Sequence, residues 1–144
     1  MIRFKHVYLA GPFFNDAEIK NVEYAKKLLS EKGLSFFSPM RHGSSAREGT
    51  TEWAKELFEM DKSEIEKADA VVALYYGSSG DTGTAWECGF ASAIGKPVVL
   101  VHVKREADSN IMMHCGCTTN IFLDELEGFD FDAMPVFEFE GKMF

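Results

Sequence analysis

The sequence predicts an α/β protein: an open, mostly parallel sheet covered by helices on both faces. Two observations carry this expectation. Residues 71–75 (VVALY) and 97–103 (PVVLVHV) are apolar at consecutive rather than alternate positions, the pattern of strands buried on both faces. Such runs alternate along the chain with segments whose apolar residues recur at helical spacing.

The elements follow in order. Residues 6–10 form a first strand, closed by Gly11-Pro12. Asp16 is the expected N-cap of a helix carrying Ile19, Val22, Ala25 and Leu29, which Gly33 stops. Residues 34–37 read as a second strand and 39–50 as a polar loop. Trp53, Leu57, Met60 and Ile65 mark a second helix. After the third strand, at 71–75, the loop Gly77-Ser78-Ser79-Gly80 leads into a third helix over about 81–94, ended by Gly95-Lys96. Residues 97–103 are the next strand. The tail, 110–144, reads as irregular, with a last strand at 136–139.

The chain has 144 residues, for which one domain over 1–144 is expected. An apolar fraction of 46% with 26% charged residues argues against disorder. Lys and Arg number 15 against 23 Asp and Glu, a net charge of −8, which argues against a nucleic-acid partner. No apolar run approaches the roughly 20 residues that span a bilayer, and residues 1–6 lack the apolar core of a signal peptide. The expectation is a cytoplasmic protein that handles a small molecule and contacts no membrane. Cys88, Cys115 and Cys117 are an odd count without framework spacing. Cys115-Gly116-Cys117, even beside His114, lacks the spacing and second pair of a zinc knuckle, so reduced thiols and no metal are expected.

In open α/β sheets the ligand crevice lies beyond the carboxyl ends of the strands. Two segments fall there, Tyr8-Leu9-Ala10-Gly11-Pro12-Phe13-Phe14 and the stretch from Gly80 to Glu87, and neither holds a dinucleotide or P-loop motif. The helix segment TAWECGFASAIG consists almost wholly of Ala, Gly, Cys, Ser and aromatic residues, a composition suited to close packing on a sheet. Its one carboxylate is Glu87. A charge there is costly unless paired or used, which balances a functional role against a place on the exposed stripe. Asp81 stands where an N-cap belongs, and capping alone explains it. Asp61, within Glu59-Met60-Asp61-Lys62-Ser63-Glu64, is by residue pattern a solvated helix charge, and Tyr8 a core residue whose hydroxyl needs a partner. Two or three carboxylates around one crevice would suit glycosyl transfer through an oxocarbenium-like transition state.

These residues fall into a recognisable arrangement. Tyr8-x-Ala10-Gly11-Pro12-Phe13-Phe14, Asp61 eight residues before Asp69-Ala70-Val71-Val72, and Asp81-x-Gly83-Thr84-Ala85-x-Glu87-x-Gly89 ahead of Gly95-Lys96-Pro97-Val98 resemble the nucleoside 2-deoxyribosyltransferase family. Ser109-Asn110-Ile111-Met112 and the aromatic ending, 137–144, extend the resemblance over nearly the whole chain. It implies a flavodoxin-like (Rossmann-like) fold and exchange of the base on a 2′-deoxyribonucleoside, without metal or organic cofactor. Position by position, Glu87 matches the nucleophile, Tyr8 the hydroxyl that orients it, and Asp61 the carboxylate that serves the base and relays a proton. Asp81, Asn110 and the carboxylate of Phe144 match groups around the sugar hydroxyls, the latter two from a neighbouring subunit of a homo-oligomer, a hexamer in the family pattern. Phe13 matches part of the aromatic wall against the base, and Gly11 and Gly83 are glycines of the two substrate-binding motifs.

The chain departs from the family pattern in places. Between Asn110 and Gly116 it is one residue longer, which makes Asn120 an alternative for the Asn role. Gly-Pro-Phe-Phe replaces Gly-Trp-Phe of some members, and Met40-Arg41-His42-Gly43 has no counterpart of a base-contacting Gln, leaving purine against pyrimidine preference open. Two other readings compete. One is an N-glycosidase of 2′-deoxynucleoside 5′-monophosphates, whose members resemble a Ser at the position of Asp81. The other is a non-catalytic nucleotide-binding module.

Overall fold

The computed structural model describes residues 4–40 and 43–144, so Arg41, His42 and the first three residues of the N-terminal stretch lie outside the described residues. Five strands form one sheet: β1 (His6–Ala10), β2 (Ser35–Phe37), β3 (Ala70–Tyr75), β4 (Val98–His102) and β5 (Thr119–Phe122). Their order is β2-β1-β3-β4-β5 and every pairing is parallel. This is the doubly wound flavodoxin order, whose switch point lies between β1 and β3.

Among the described residues four α-helices cover the sheet: α1 (Asp16–Glu31), α2 (Thr51–Lys67), α3 (Thr82–Ala93) and the short α4 (Ile111–Gly116). Because side chains alternate across a strand, β1 feeds two cores. Val7 and Leu9 pack with Val22, Ala25, Leu28 and Leu29 of α1. Tyr8 and Ala10 face the opposite layer, with Ile65 of α2, Cys88 and Ala91 of α3 and Met113 of α4. All six residues of β3 and all five of β4 are buried, the reason both read as unbroken apolar runs. Gly11 leaves β1 at φ +151, and a Cβ there would stand 3.0 Å from that of Leu74, so glycine lets the chain turn tightly against β3 at the switch point.

Three details differ from the sequence expectation. The N-cap of α1 is Asn15, not Asp16: Asn15 has extended backbone and its side chain accepts from the Glu18 amide at 2.9 Å. Asp16 is instead the first helical residue, where its carboxylate meets the positive end of the helix dipole. The last strand is β5 at Thr119–Phe122 rather than 136–139. The latter segment runs beside β5 but makes one backbone bond, Asn120 N–H to the Phe137 carbonyl at 3.0 Å. Its other links involve side chains, the Phe137 amide donating to Thr119 Oγ1 at 2.8 Å and Asn120 Nδ2 to the Phe137 carbonyl at 3.3 Å, so no ladder forms. Finally, α4 interrupts a tail expected to be irregular, with Asn110 as its N-cap.

Candidate active site

The cleft at the switch point takes a piece from each neighbouring element. The turn after β1 contributes Gly11, Phe13 and Phe14, α2 contributes Phe58, Asp61 and Lys62, and the start of α3 contributes Asp81, Gly83, Trp86 and Glu87. Its volume is about 380 Å³, in the range of small-molecule sites.

At its floor the Tyr8 hydroxyl donates a hydrogen bond to Glu87 Oε2. Tyr8 is fully buried in mid-strand, stacked on Phe37 of β2 with ring centroids 5.7 Å apart. Burial and the adjacent Glu87 push its phenol well up, so it remains a donor. Glu87 is raised from the ordinary 4.5 to about 7. Burial is the main cause, the Tyr8 hydrogen bond opposes it, and the charges of Asp61 and Asp81 add to it. Asp61 is raised to about 6, first by burial and then by Glu64 one turn along α2. Two carboxyl groups that titrate near neutrality in one cleft can divide nucleophile and proton-donor roles.

Asp81 caps α3, its Oδ2 accepting from the Thr84 amide at 2.9 Å and the Thr84 hydroxyl at 3.0 Å. Its other carboxylate oxygen makes no bond within the helix cap. Asp81 also borders a second cavity, of about 650 Å³, on the opposite side of α3. Asn110 and Phe144 line that second cavity and not the Glu87 cleft. They lie together because the last residues pair with the segment before α4: the Phe144 amide bonds the Ser109 carbonyl at 3.0 Å, and the Ile111 amide bonds the Phe144 carbonyl at 2.9 Å. Asn120, the alternative for Asn110, borders neither cavity. Its Oδ1 pairs with His102 Nε2 at 3.0 Å and its Nδ2 donates to the Phe137 carbonyl at 3.3 Å.

The structure thus brings Tyr8, Asp61, Glu87, Asp81, Gly11, Gly83 and Phe13 to one place and leaves Asn110 and Phe144 across α3. It adds Phe14, Phe58, Lys62 and Trp86, which sequence reasoning did not single out. Helical spacing held the signal for two of them, because Phe58 stands three and four positions before Asp61 and Lys62 on one face of α2. Cys88 and Cys117 border the larger cavity and Cys115 is exposed. Among the described residues no cluster of three or more His, Cys, Asp or Glu side chains is arranged to hold a metal ion. No helix among them is long and apolar enough to cross a membrane.

Fold and cleft together describe a flavodoxin-like α/β protein with two carboxyl groups of raised pKa at its switch point. The chain belongs to the nucleoside 2-deoxyribosyltransferase family, whose model matches residues 7–132. It is similar to a nucleoside deoxyribosyltransferase of Limosilactobacillus fermentum, 31% identical over 99 residues, which are 66% of this chain and 56% of that protein. The chain therefore spans little more than half the length of that curated relative. A solved 2-deoxyribosyltransferase of Bacillus psychrosaccharolyticus superposes with a TM-score of 0.80 at 31% identity, over 92% of this chain and 98% of the other. A CMP N-glycosidase of Clostridium botulinum shares the fold, with a TM-score of 0.60 at 22% identity over 90% of this chain and 96% of the other.

Proposed function

We propose that this protein exchanges the base of 2′-deoxyribonucleosides through a covalent glycosyl ester on Glu87, as a step of nucleoside salvage. The observation that carries the reading is the Tyr8–Glu87 hydrogen bond in a cleft that also holds Asp61. The bond engages Oε2 and leaves Oε1 to attack the anomeric carbon. As the C1′–N bond breaks, its electron pair goes to the base, which takes the Asp61 proton. The incoming base then displaces the carboxylate from the face the first base left and returns its own proton to Asp61. Two inversions retain the β configuration. Without a 2′-oxygen, the positive charge developing at C1′ is not destabilised by a neighbouring electronegative atom, which favours the deoxy sugar. The decisive incubations are deoxythymidine with adenine and, in parallel, deoxycytidine 5′-monophosphate alone. Deoxyadenosine as product supports the transferase, deoxyribose 5-phosphate released from a nucleotide supports the hydrolase, and no turnover supports the binding module.

The two carboxyl groups set the pH dependence. Glu87 must be ionised to attack, so its competent fraction grows as pH rises through about 7. Asp61 must hold its proton, so its competent fraction falls as pH rises through about 6. The expected kcat/KM profile is a bell with limbs near 6 and 7, values that belong to the coupled pair. Asp61→Asn is expected to remove the descending limb and to slow natural nucleosides by about 10²-fold, with a smaller loss for a substrate whose base leaves without protonation. Equal rates on both kinds of substrate would return Asp61 to a solvated helix face.

We further infer a homo-oligomer in which Asn110 and Phe144 complete the sugar site of a neighbouring copy. They border Asp81 from the side of α3 away from this chain's own Glu87, and Ile111, Met112, Met143 and Phe144 around them are exposed apolar side chains. Mixing two inactive variants tests the arrangement. Asn110→Ser keeps a capping side chain on α4, and Glu87→Ala removes the nucleophile. If sites are shared, randomly re-associated pairs contain one intact site in about a quarter of all positions, and activity returns to roughly that share. Mixtures that stay inactive would place each whole site within one chain.

A further inference from the structure

Lys62 is the one cation among the described residues lining the Glu87 cleft. It follows Asp61 directly on α2 and is half-buried, with Nζ 5.8 Å from the centroid of the Phe90 ring and no ion pair to a described carboxylate. The aromatic stack that supports it leads into the cleft. Phe90 stacks on Trp86 at 5.3 Å with the planes 9° apart, and Trp86 meets Phe58 edge-on at 5.1 Å. Glu87 and Asp61 are raised by burial and by other carboxylates, with no cation among the causes, so Lys62 is not consumed in neutralising either.

We propose that Lys62 selects the nucleobase, favouring bases that carry an exocyclic carbonyl over those with an exocyclic amine at the same place. The proposal rests on the base-exchange reading of the cleft. An ammonium has three donors and no acceptor. A carbonyl oxygen offers it lone pairs, whereas an exocyclic amine directs N–H bonds at it. The contact also strengthens during reaction. As the glycosidic bond breaks, its electron pair spreads onto the carbonyl oxygen, and a cation there binds the transition state more tightly than the ground state.

Hypoxanthine and adenine test this, because both are purines and differ only in the group on C6 and the proton on N1 that accompanies it, and Lys62→Met isolates the contribution of the ammonium. Calorimetric titration of the wild-type protein is expected to show hypoxanthine binding at least about tenfold more tightly, which is about 1.4 kcal/mol. Lys62→Met keeps the apolar stem against Phe90 but removes the charge, and should bring the two affinities together. Lys62→Arg retains the charge and should retain the preference. Equal binding by the wild type, a preference for adenine, binding of neither base, or a ratio untouched by K62M would overturn the proposal. Exchange assays on the same samples separate the two levels of inference. Selective binding of hypoxanthine without any exchange sinks the transferase reading while the role of Lys62 stands.

Discussion

Glu87→Ala is expected to abolish base exchange, with a loss on the order of 10⁴-fold or more, because it deletes the group that forms the covalent bond. The variant should fold, since Glu87 stands in mid-helix on α3 and alanine is the strongest helix former. The stronger evidence comes from trapping. A 2′-fluoro arabinosyl substrate places an electronegative atom beside C1′, which destabilises the positive charge of both half-reactions. With a good leaving group the first half still proceeds, and the sugar remains as an ester. The peptide containing Glu87 should then gain the mass of the fluorinated sugar, and that from Tyr8→Phe should gain it more slowly, because Oε2 loses its donor and the carboxyl rises further. A label on any other residue, or substantial exchange by E87A, would remove Glu87 from the role of nucleophile.

Legibility in the sequence followed the physics of each element. β3 and β4 read cleanly because both faces are covered, and α3 because Asp81 caps it and Gly95 follows its end. Glu87 stood out as a lone carboxylate on a small-residue helix. β5 did not read as a strand because Thr119 and Asn120 are polar, yet both are buried. Thr119 Oγ1 accepts from the Phe137 amide and Asn120 bonds His102, so contacts from the tail and from β4 satisfy groups that local sequence marks as exposed. The tail in turn resembled a strand because its apolar residues alternate, but Phe139 is buried through stacking on His102 at 4.5 Å rather than through a ladder. The placing of Asn110 and Phe144 across α3 depends on the bonds of Phe144 to Ser109 and Ile111, too far along the chain for any periodicity to reveal. Phe58 and Trp86, unlike Phe13, were hidden for a simpler reason: spacing identifies a helix face, but not what faces it.

A large discrimination of nucleoside from nucleotide is also expected, and it depends on Asp81. This carboxylate borders both cavities, and in the proposed site it stands beside the 5′ position of the sugar. A 5′-phosphate there would carry up to two negative charges. Each unit pair at about 4 Å repels by about 4 kcal/mol at an effective dielectric of 20. The turn before α3 supplies no full positive charge to offset this. Its Ser78 amide already donates to Asp108 Oδ1 at 2.8 Å, a bond that holds the Asp108 carboxyl below its usual range. Gly77, at φ +68, lets Asp108 approach so closely that a Cβ would fall 2.5 Å from the Asp108 carbonyl oxygen. The Ser78 amide, a donor that could have helped cradle a phosphate, therefore holds a second carboxylate. No described residue lining the larger cavity is a Lys or Arg. A free 5′-hydroxyl, by contrast, can donate to the Asp81 oxygen left over from capping, a charge-assisted bond. Deoxycytidine is accordingly expected to exceed its 5′-monophosphate in kcat/KM by at least about 10²-fold. Asp81→Ser keeps an N-cap for α3 and should narrow that ratio about tenfold while lowering the rate on the nucleoside. Equal specificity constants in the wild type, or a higher one for the nucleotide, would overturn the transferase reading in favour of a nucleotide hydrolase.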